Sequence, residues 1–181
     1  MQETRQGSVT LVLGGARSGK SRYAQQLAEQ ASRVVFVATA KRSDDEMRAK
    51  IDRHRADRPK EWLTVEEPLD LAKALAEHEL GCDVIVMDCL TLFAANLLEG
   101  DGEEVERRVE ALCSSLQSVH CSVVLVSNEV GSGVVPAYPI GVRYRDLLGE
   151  INQKIARVAD DVVLMVAGLP LALKGHVEVT L

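Results

Sequence analysis

The sequence predicts an α/β fold: a doubly wound, mainly parallel β-sheet with helices on both faces. Two observations predict it. Short β-branched apolar runs recur along the chain, and segments with helical periodicity lie between them. The chain has 181 residues, of which 46% are hydrophobic. This is enough for one hydrophobic core of substantial size but not for two. We therefore expect a single domain over residues 1–181, in which the polar residues 1–7 are flexible.

The predicted strands are continuous apolar runs rather than alternating ones. Such runs are typical of parallel strands, because helices cover both faces of a parallel sheet. They lie at residues 9–14, 33–39, 83–88, 122–127 and 161–168. The stretch KGHVEVT at 174–180 alternates apolar and polar residues, which is the pattern of an added edge strand.

The helical segments alternate with these strands. Ser43 and Glu46 form a capping box, so one helix should begin at Asp44 and run until Arg58-Pro59 ends it. The stretch LEGDGEE at 98–104 is interpreted as a surface turn. The predicted helices cover residues 20–31, 44–56, 68–79, 103–118 and 144–159.

Charge and cysteine content narrow the function classes. The chain carries 21 basic and 27 acidic residues, a net charge of -6, which argues against a general nucleic-acid binder. The four cysteines form no CxxC pair and no zinc-spaced cluster, so free thiols are expected. The N-terminus lacks the apolar core of a signal peptide and no apolar run reaches membrane-spanning length, so we expect a cytoplasmic protein.

The segment GGARSGKS, Gly14 to Ser21, lies between the first predicted strand and the first predicted helix. It fits the phosphate-binding pattern of Gly, four residues and Gly-Lys-Ser. Backbone N–H groups of such a loop wrap a β-phosphate at the positive end of the helix, Lys20 reaches the β- and γ-oxygens, and the Ser21 hydroxyl ligates Mg²⁺. A merely structural turn explains the Lys-Ser pair poorly. The predicted nucleotide contacts here are Gly14, Gly15, Ala16, Arg17, Ser18, Gly19, Lys20 and Ser21.

A second ligand for Mg²⁺ is expected at the end of a neighbouring strand. The run VIVMD delivers Asp88 to the carboxyl edge of the sheet, where ligands of open α/β sheets bind. The alternative is that Asp88 caps the following turn, as aspartates at strand ends often do. We favour the metal role, because the phosphate loop already demands a metal partner.

The predicted helix at 44–56 carries one histidine. At helical spacing Met47, Ile51 and His54 share a face. One interpretation is that His54 packs at the helix end and favours its dipole. The other is that it is a nucleophile: cations beside it would keep the imidazole neutral, and a neutral imidazole attacks phosphorus. The neighbouring cations are Arg53, Arg55 and Arg58.

Two residues after this segment stay ambiguous at this point. Trp62 is either a core residue or one that faces a ring, and Glu66 is either solvated or hydrogen-bonded to a base or ribose.

Seven segments together resemble the bifunctional adenosylcobinamide kinase/adenosylcobinamide-phosphate guanylyltransferase family of cobalamin biosynthesis. Each is weak alone, but they occur in the family's order over nearly the whole chain, from about residue 9 to residue 174. They are GGARSGKS, VATA at 37–40, DDEMRAKIDRHRADRPKEW at 44–62, MDCLTLFAANLL at 87–98, SNEVGSGVVP at 127–136, RYRDLLGEINQKIA at 143–156 and GLPLALK at 168–174.

The resemblance implies a RecA-like P-loop NTPase fold and two reactions. ATP or GTP phosphorylates adenosylcobinamide, and GTP then donates GMP to the new phosphate, giving adenosyl-GDP-cobinamide. The guanylyl group passes through a histidine, which matches His54; some relatives have a second histidine where this chain has Arg53. By the same resemblance the guanine nucleotide site includes Ala38, Thr39, Ala40, Arg55, Ala56, Asp57, Arg58, Glu66 and Asp88, and the family forms homotrimers.

The acceptor side is predicted after the fourth of the five strands. Asn128 and Glu129 should reach the same sheet edge as Lys20 and Asp88, and the glycines that follow permit a tight loop. They either contact the corrinoid or the γ-phosphate, or they cap the loop. The segment at 143–153 is interpreted as a helix surface or subunit contact.

Two other functions use the same phosphate loop. A simple kinase for another metabolite needs no covalent intermediate on His54. A nucleotide-driven regulator or motor subunit binds no small acceptor and leaves the ordered set of motifs unexplained.

Overall fold

A computed structural model describes residues 7–41 and 59–176. Their centre is a seven-stranded sheet in the order β3-β2-β4-β5-β1-β6-β7. All neighbouring strands are parallel except β6 and β7. The predicted doubly wound, mainly parallel sheet is therefore confirmed. The strands are β1 Val9–Gly14, β2 Val34–Ala38, β3 Leu63–Glu66, β4 Val84–Asp88, β5 Ser122–Asn128, β6 Asp161–Val166 and β7 Leu169–Lys174.

The described helices lie between consecutive parallel strands. Four of the five predicted helices are present with shifted ends, and the predicted helix at 44–56 lies outside the described residues. The described helices are α1 Lys20–Ala28, α2 Leu71–His78, α3 Leu90–Leu97, α4 Gly102–Gln117 and α5 Pro139–Val158.

Helix α3 was not predicted. Its sequence, LTLFAANL, is apolar around most of its circumference, and it buries Leu90, Phe93, Ala94 and Leu97. Because it has no broad polar face, the 3.6-residue periodicity that marks a surface helix is weak there. Strand β3 was also missed, since Leu63–Glu66 is only four residues long and has a partly exposed pattern.

The core consists of two clusters, one on each face of the sheet. Phe93 and Leu125 belong to the cluster covered by α2, α3, α4 and α5. Phe36 and Val126 belong to the other cluster, which Ala24 and Ala28 of α1 cover. Neighbouring residues of β5 thus face opposite sides, which is why its sequence is continuously apolar.

The chain reverses direction between β6 and β7, where a single strand over 161–168 was predicted. Ala167 (φ 51°) and Gly168 (φ 83°) adopt left-handed conformations, and β7 returns antiparallel to β6. That prediction is therefore wrong beyond Val166, because this turn lies inside an apolar run. The observed edge strand is Leu169–Lys174. Most of the alternative edge strand at 174–180 lies outside the described residues.

The predicted turn at 98–104 ends earlier than expected. Asp101 is the N-cap of α4, and its side chain accepts a hydrogen bond from Glu104 N at 2.8 Å. The helix therefore begins at Gly102 rather than at residue 103. All four cysteines are free thiols, as predicted. Within residues 7–41 and 59–176, no helix is long and apolar enough to cross a membrane.

Candidate nucleotide-binding site

The phosphate loop leaves β1 at Gly14 and enters α1 at Lys20. Gly19 caps the helix in a left-handed conformation, φ 99°, which glycine adopts without strain. At Gly14 a Cβ atom would lie 2.6 Å from the carbonyl oxygen of Met165, so only glycine fits there. Of the three glycines in GGARSGKS, Gly14 and Gly19 are therefore required by the loop's shape.

Two hydrogen bonds from neighbouring segments hold the loop in place. The carbonyl oxygen of Gly14 accepts from Glu129 N at 3.1 Å, at the exit of β5. The carbonyl oxygen of Ser18 accepts from Gly168 N at 3.0 Å, in the turn between β6 and β7. The Ser18 hydroxyl is buried and has no hydrogen-bond partner within the described residues. The loop thus has fixed ends and one unpaired hydroxyl.

The side chain of Lys20 is folded onto this loop. Its Nζ donates a hydrogen bond to the carbonyl oxygen of Gly15 at 2.6 Å, and the residue is only 8% exposed. Burial lowers the pKa of Lys20, and the nearby Asp88 carboxylate partly opposes that shift. The ammonium group and Asp88 are therefore close enough to interact electrostatically, as the two predicted roles require.

Asp88 ends β4, with Ala38 of β2 and Val126 of β5 as its register partners. Strand β5 lies between β4 and β1, the strand that carries the phosphate loop. Asn128 and Glu129, at the end of β5, thus emerge between the loop and Asp88. The predicted shared edge of the sheet is present.

The chain directly after Asp88 is tied to the end of β2. Thr39 Oγ1 accepts a hydrogen bond from Cys89 N at 2.8 Å and donates one to the carbonyl oxygen of Cys89 at 2.7 Å. Asn96 Nδ2 donates to the carbonyl oxygen of Thr39 at 2.9 Å. Burial, together with the charge of Asp88, raises the pKa of Cys89 to about 11. Cys89 is therefore a protonated thiol at neutral pH.

The oxygen ligands at this edge suit Mg²⁺. Ser21 supplies a hydroxyl and Asp88 a carboxylate, both hard donors of the kind that Mg²⁺ prefers. No group of three or more His, Cys, Asp or Glu side chains in the described ranges could hold a metal ion by itself. That composition fits a site completed by phosphate oxygens and water.

The residues predicted for the acceptor side, Asn128 and Glu129, form hydrogen bonds within the protein. Asn128 N donates to Thr91 Oγ1 at 2.9 Å, and its carbonyl oxygen accepts from Asn152 Nδ2 at 3.0 Å. The Glu129 carboxylate accepts from Gly131 N at 2.7 Å and Ser132 N at 3.3 Å. Partial burial would raise the pKa of Glu129, but these hydrogen bonds outweigh burial and lower it. Glu129 thus closes its own loop, as in the capping alternative.

Sequence analysis overlooked an exposed apolar segment beyond this loop. Its apolar residues lie at the entrance to α5, at the same end of the molecule as the phosphate loop. The signal in the sequence is the run GVVPAYPI, which is apolar but belongs to none of the predicted strands or helices. The exposed fractions are 96% for Val134, 63% for Val135, 75% for Tyr138 and 57% for Ile140.

The other predicted nucleotide contacts are only partly described. His54 and the segment Arg55, Ala56, Asp57 and Arg58 lie outside the described residues. Glu66 ends β3, where it is exposed, and β2 separates it from β4. Ala38 and Thr39 are buried at the end of β2, and Ala40 follows them, half-buried.

Sequence comparison decides the family. The profile of the family described as "Cobinamide kinase / cobinamide phosphate guanyltransferase" matches residues 10–173. The chain belongs to this family. Membership confirms the resemblance that the seven segments predicted, and with it an enzyme of the kind that the family description names.

Curated members of the cobinamide kinase/guanyltransferase family align with nearly the whole chain. The bifunctional adenosylcobalamin biosynthesis protein CobP of Pseudomonas aeruginosa is 45% identical over 92% of this chain and 97% of its own length. The bifunctional adenosylcobalamin biosynthesis protein CobU of Escherichia coli K12 is 38% identical over 91% of this chain and 98% of its own. The corresponding CobU protein of Salmonella typhimurium is 37% identical over the same shares.

Solved structures support the fold of this family member. An ATPase from the type III secretion system of pathogenic bacteria superposes with a TM-score of 0.55 at 12% identity, covering 87% of this chain and 51% of its own. The secretion ATPase EscN of enteropathogenic E. coli superposes with a TM-score of 0.56 at 15% identity, covering 97% and 49%. At these identities the likeness shows a shared ATPase fold, and this chain spans about half of each ATPase.

Proposed function

We propose that this protein phosphorylates adenosylcobinamide with ATP or GTP and then transfers GMP from GTP to adenosylcobinamide phosphate, giving adenosyl-GDP-cobinamide. One observation carries the proposal: a phosphate loop with Lys20 buried beside Asp88, in a chain that matches the cobinamide kinase/guanyltransferase family over residues 10–173. The names of the curated relatives describe bifunctional proteins of adenosylcobalamin biosynthesis, which supports the proposal.

In the kinase reaction an acceptor hydroxyl oxygen attacks the γ-phosphorus. The bond from that phosphorus to the β–γ bridging oxygen breaks, and the electron pair leaves with the nucleoside diphosphate. Lys20 would exchange its hydrogen bond to Gly15 for the β- and γ-oxygens, where negative charge is concentrated. Backbone N–H groups from Gly14 to Ser21 hold the phosphate chain at the start of α1.

Ser21 and Asp88 are the residues that would hold Mg²⁺ in this site. Such an ion would supply positive charge that offsets the negative charge of the phosphate oxygens. The protein's own contribution is to place Ser21 in the first turn of α1 and Asp88 at the end of β4, at the same edge of the sheet.

In the guanylyltransfer His54 acts as the nucleophile. A ring nitrogen of the neutral imidazole attacks the α-phosphorus of GTP, an N–P bond forms, and the bond to the bridging oxygen breaks with release of pyrophosphate. A phosphate oxygen of adenosylcobinamide phosphate then attacks the same phosphorus, the N–P bond breaks, and its electron pair returns to the imidazole ring of His54. Guanine-nucleotide contacts are assigned to Ala38, Ala40, Glu66 and the segment Arg55, Ala56, Asp57 and Arg58. Thr39, which the resemblance placed in the same site, has its hydroxyl hydrogen-bonded to the backbone of Cys89 and is not assigned a nucleotide contact.

The acceptor is proposed to lie beside Asn128 and Glu129. Their position between the phosphate loop and Asp88 supports this, because an acceptor must approach the phosphate chain from outside the sheet edge. The exposed apolar segment that contains Val134 and Tyr138 adds a surface that could contact the apolar parts of the corrin ring. Glu129 acts by closing the loop that presents this surface.

Covalent labelling tests the transferase. We expect the protein incubated with Mg²⁺ and GTP labelled at the α-phosphate to retain acid-labile label after denaturation, and His54→Ala to retain none while still phosphorylating adenosylcobinamide. His78→Ala is the matched control, because His78 lies in the last turn of α2 and belongs to no proposed site. A simple cobinamide kinase would phosphorylate the acceptor without becoming labelled. A nucleotide-driven regulator would hydrolyse GTP without any corrinoid product.

We also propose that the protein is a cytoplasmic homotrimer that does not bind nucleic acid. Light scattering coupled to gel filtration measures the oligomeric state: a mass of three chains is expected, and a monomer would contradict the proposed trimer. The net charge of -6 supports the absence of nucleic-acid binding, which a mobility-shift titration at low salt tests.

A further inference from the structure

Thr39 is one of the fully buried polar side chains in the part of the chain that the structure describes, with 0% exposure. It follows β2 directly, and its partners lie fifty positions further along the chain. Its backbone N donates to the carbonyl oxygen of Asp88 at 3.3 Å. Its hydroxyl accepts from Cys89 N and donates to the carbonyl oxygen of Cys89. One residue therefore binds three consecutive backbone groups at the exit of β4.

These groups need partners because the chain changes structure there. Strand β4 ends at Asp88 and α3 begins at Leu90, with Cys89 as the N-cap residue. A buried backbone group without a partner costs about 1–3 kcal/mol, so Thr39 stabilises one arrangement of the turn.

Thr39 is itself held from a third element. Asn96, on α3, donates from Nδ2 to the carbonyl oxygen of Thr39 at 2.9 Å and to that of Pro68 at 3.0 Å. The ends of β2 and β4 and the segment before α2 are thus connected through two side chains. The hydroxyl proton of Thr39 is directed to the protein backbone rather than outward.

We infer that Thr39 is a positioning residue that fixes the Asp88 carboxylate for the divalent cation, and that its hydroxyl does not contact the nucleotide. The inference rests on the proposed metal role of Asp88. Mg²⁺ demands near-ideal octahedral geometry, so a carboxylate that moves with a loosened turn holds the ion less well. Thr39→Val keeps the shape of the side chain but leaves Cys89 N without its partner. It also removes one of the two hydrogen bonds to the Cys89 carbonyl oxygen, which still accepts from Phe93 N at 3.2 Å.

The test measures metal binding directly. Mn²⁺ replaces Mg²⁺ as a paramagnetic probe, and its dissociation constant is measured by electron paramagnetic resonance in the presence of a non-hydrolysable GTP analogue. We expect Thr39→Val to weaken Mn²⁺ binding about tenfold, as loss of these hydrogen bonds implies, and Thr39→Ser to restore it to within about twofold. Analogue binding in EDTA is expected to stay within about twofold of the unaltered protein in both variants.

Two further variants separate the explanations. Leu116→Val removes core volume at the end of α4, at the edge of the sheet opposite the phosphate loop, and controls for lost stability alone. Asp88→Asn tests the metal role itself. If Thr39→Val does not fold, Asn96→Ala replaces it, with an expected weakening of about threefold because only the support of Thr39 is lost.

Each outcome bears on a different claim. Weaker Mn²⁺ binding in Thr39→Val and Asp88→Asn, but not in Leu116→Val, supports the inference. Weaker binding in Asp88→Asn alone overturns it and leaves the proposed metal site intact. No change in Asp88→Asn contradicts the metal role of Asp88 in the proposed function. Loss of analogue binding in EDTA by Thr39→Val, with Mn²⁺ binding unchanged, places Thr39 in the nucleotide site and overturns the inference.

Discussion

Lys20 Nζ donates a hydrogen bond to the carbonyl oxygen of Gly15 at 2.6 Å, inside the phosphate loop to which both residues belong. The cation is therefore kept by the loop itself, buried and beside Asp88. A phosphate chain has to replace that carbonyl oxygen as the partner of Lys20. Because phosphate oxygens carry negative charge, the exchange is favourable.

Replacement of this lysine should affect both proposed reactions. Lys20→Ala is expected to lower kcat/KM of the kinase and of the guanylyltransferase by about 10²–10³, because both use the same phosphate loop. The free energy of unfolding should change little, since the buried cation is costly to desolvate. Steady-state kinetics and urea unfolding measure the two effects. A loss confined to one reaction would contradict the shared site.

The lowered pKa of Lys20 predicts a pH limit on nucleotide binding. The charged form is lost as pH rises through this pKa, which burial places below the ordinary lysine value. We expect kcat/KM to fall on the alkaline side at a lower pH than an ordinary lysine would give, because kcat/KM reports the free enzyme. The alkaline limb of the kcat profile should lie at a higher pH than that of kcat/KM, since bound phosphate favours the ammonium form of Lys20. Coincident limbs would argue against Lys20 as the titrating group.

Two neighbouring glycines give a matched pair of variants. A Cβ at Gly14 would lie 2.6 Å from the carbonyl oxygen of Met165, whereas one at Gly15 has no atom within 4 Å. Gly14→Ala should therefore destabilise the protein by about 1–3 kcal/mol, and Gly15→Ala by less than about 0.5 kcal/mol. Thermal unfolding without nucleotide separates them. Equal destabilisation of the two variants would contradict the described loop.

The Glu129 carboxylate should control the loop that follows β5. Glu129→Ala removes the acceptor for Gly131 N and Ser132 N, so both amides should exchange with deuterium faster. The pKa of Glu129 is lowered in the folded protein, so this loop closure is present at neutral pH and is lost as pH falls through that pKa. Hydrogen exchange in the native protein at neutral and acidic pH measures it. Exchange that is independent of Glu129 would assign the loop's order to other contacts.

Lys174 of β7 should stabilise the end of α5. Its Nζ donates to the carbonyl oxygens of Ala156 at 3.0 Å, Arg157 at 3.2 Å and Ala159, at the end of α5. Lys174→Met should therefore cost about 1–2 kcal/mol and lower Tm by roughly 3–6 °C. Lys73→Met is the control, since Lys73 is 3.7 Å from Glu77 on an exposed helix face and should matter by less than about 0.5 kcal/mol. A loss of stability in Lys174→Met no larger than the loss in Lys73→Met would contradict the proposed capping of α5 by Lys174.

Sequence by itself determined the parts of the site that lie within one local segment. The apolar run of β1, the glycines and Lys20 are consecutive, so strand, loop and helix follow from neighbouring residues. Asp88 likewise ends a run that can only be a buried strand. Local sequence fails where a local signal is missing: α3 has no polar face, and the turn at Ala167 and Gly168 interrupts an apolar run that could have continued.

Only the tertiary structure decided how these segments meet. The position of β5 between β1 and β4, the contact of Thr39 with Cys89, and the use of Glu129 on its own loop all depend on strand order and on turn geometry. Periodicity reports which face of a segment is buried, but not which segment covers it. Pairing between residues fifty positions apart is chosen by the packing of the whole sheet, so no local pattern encodes it.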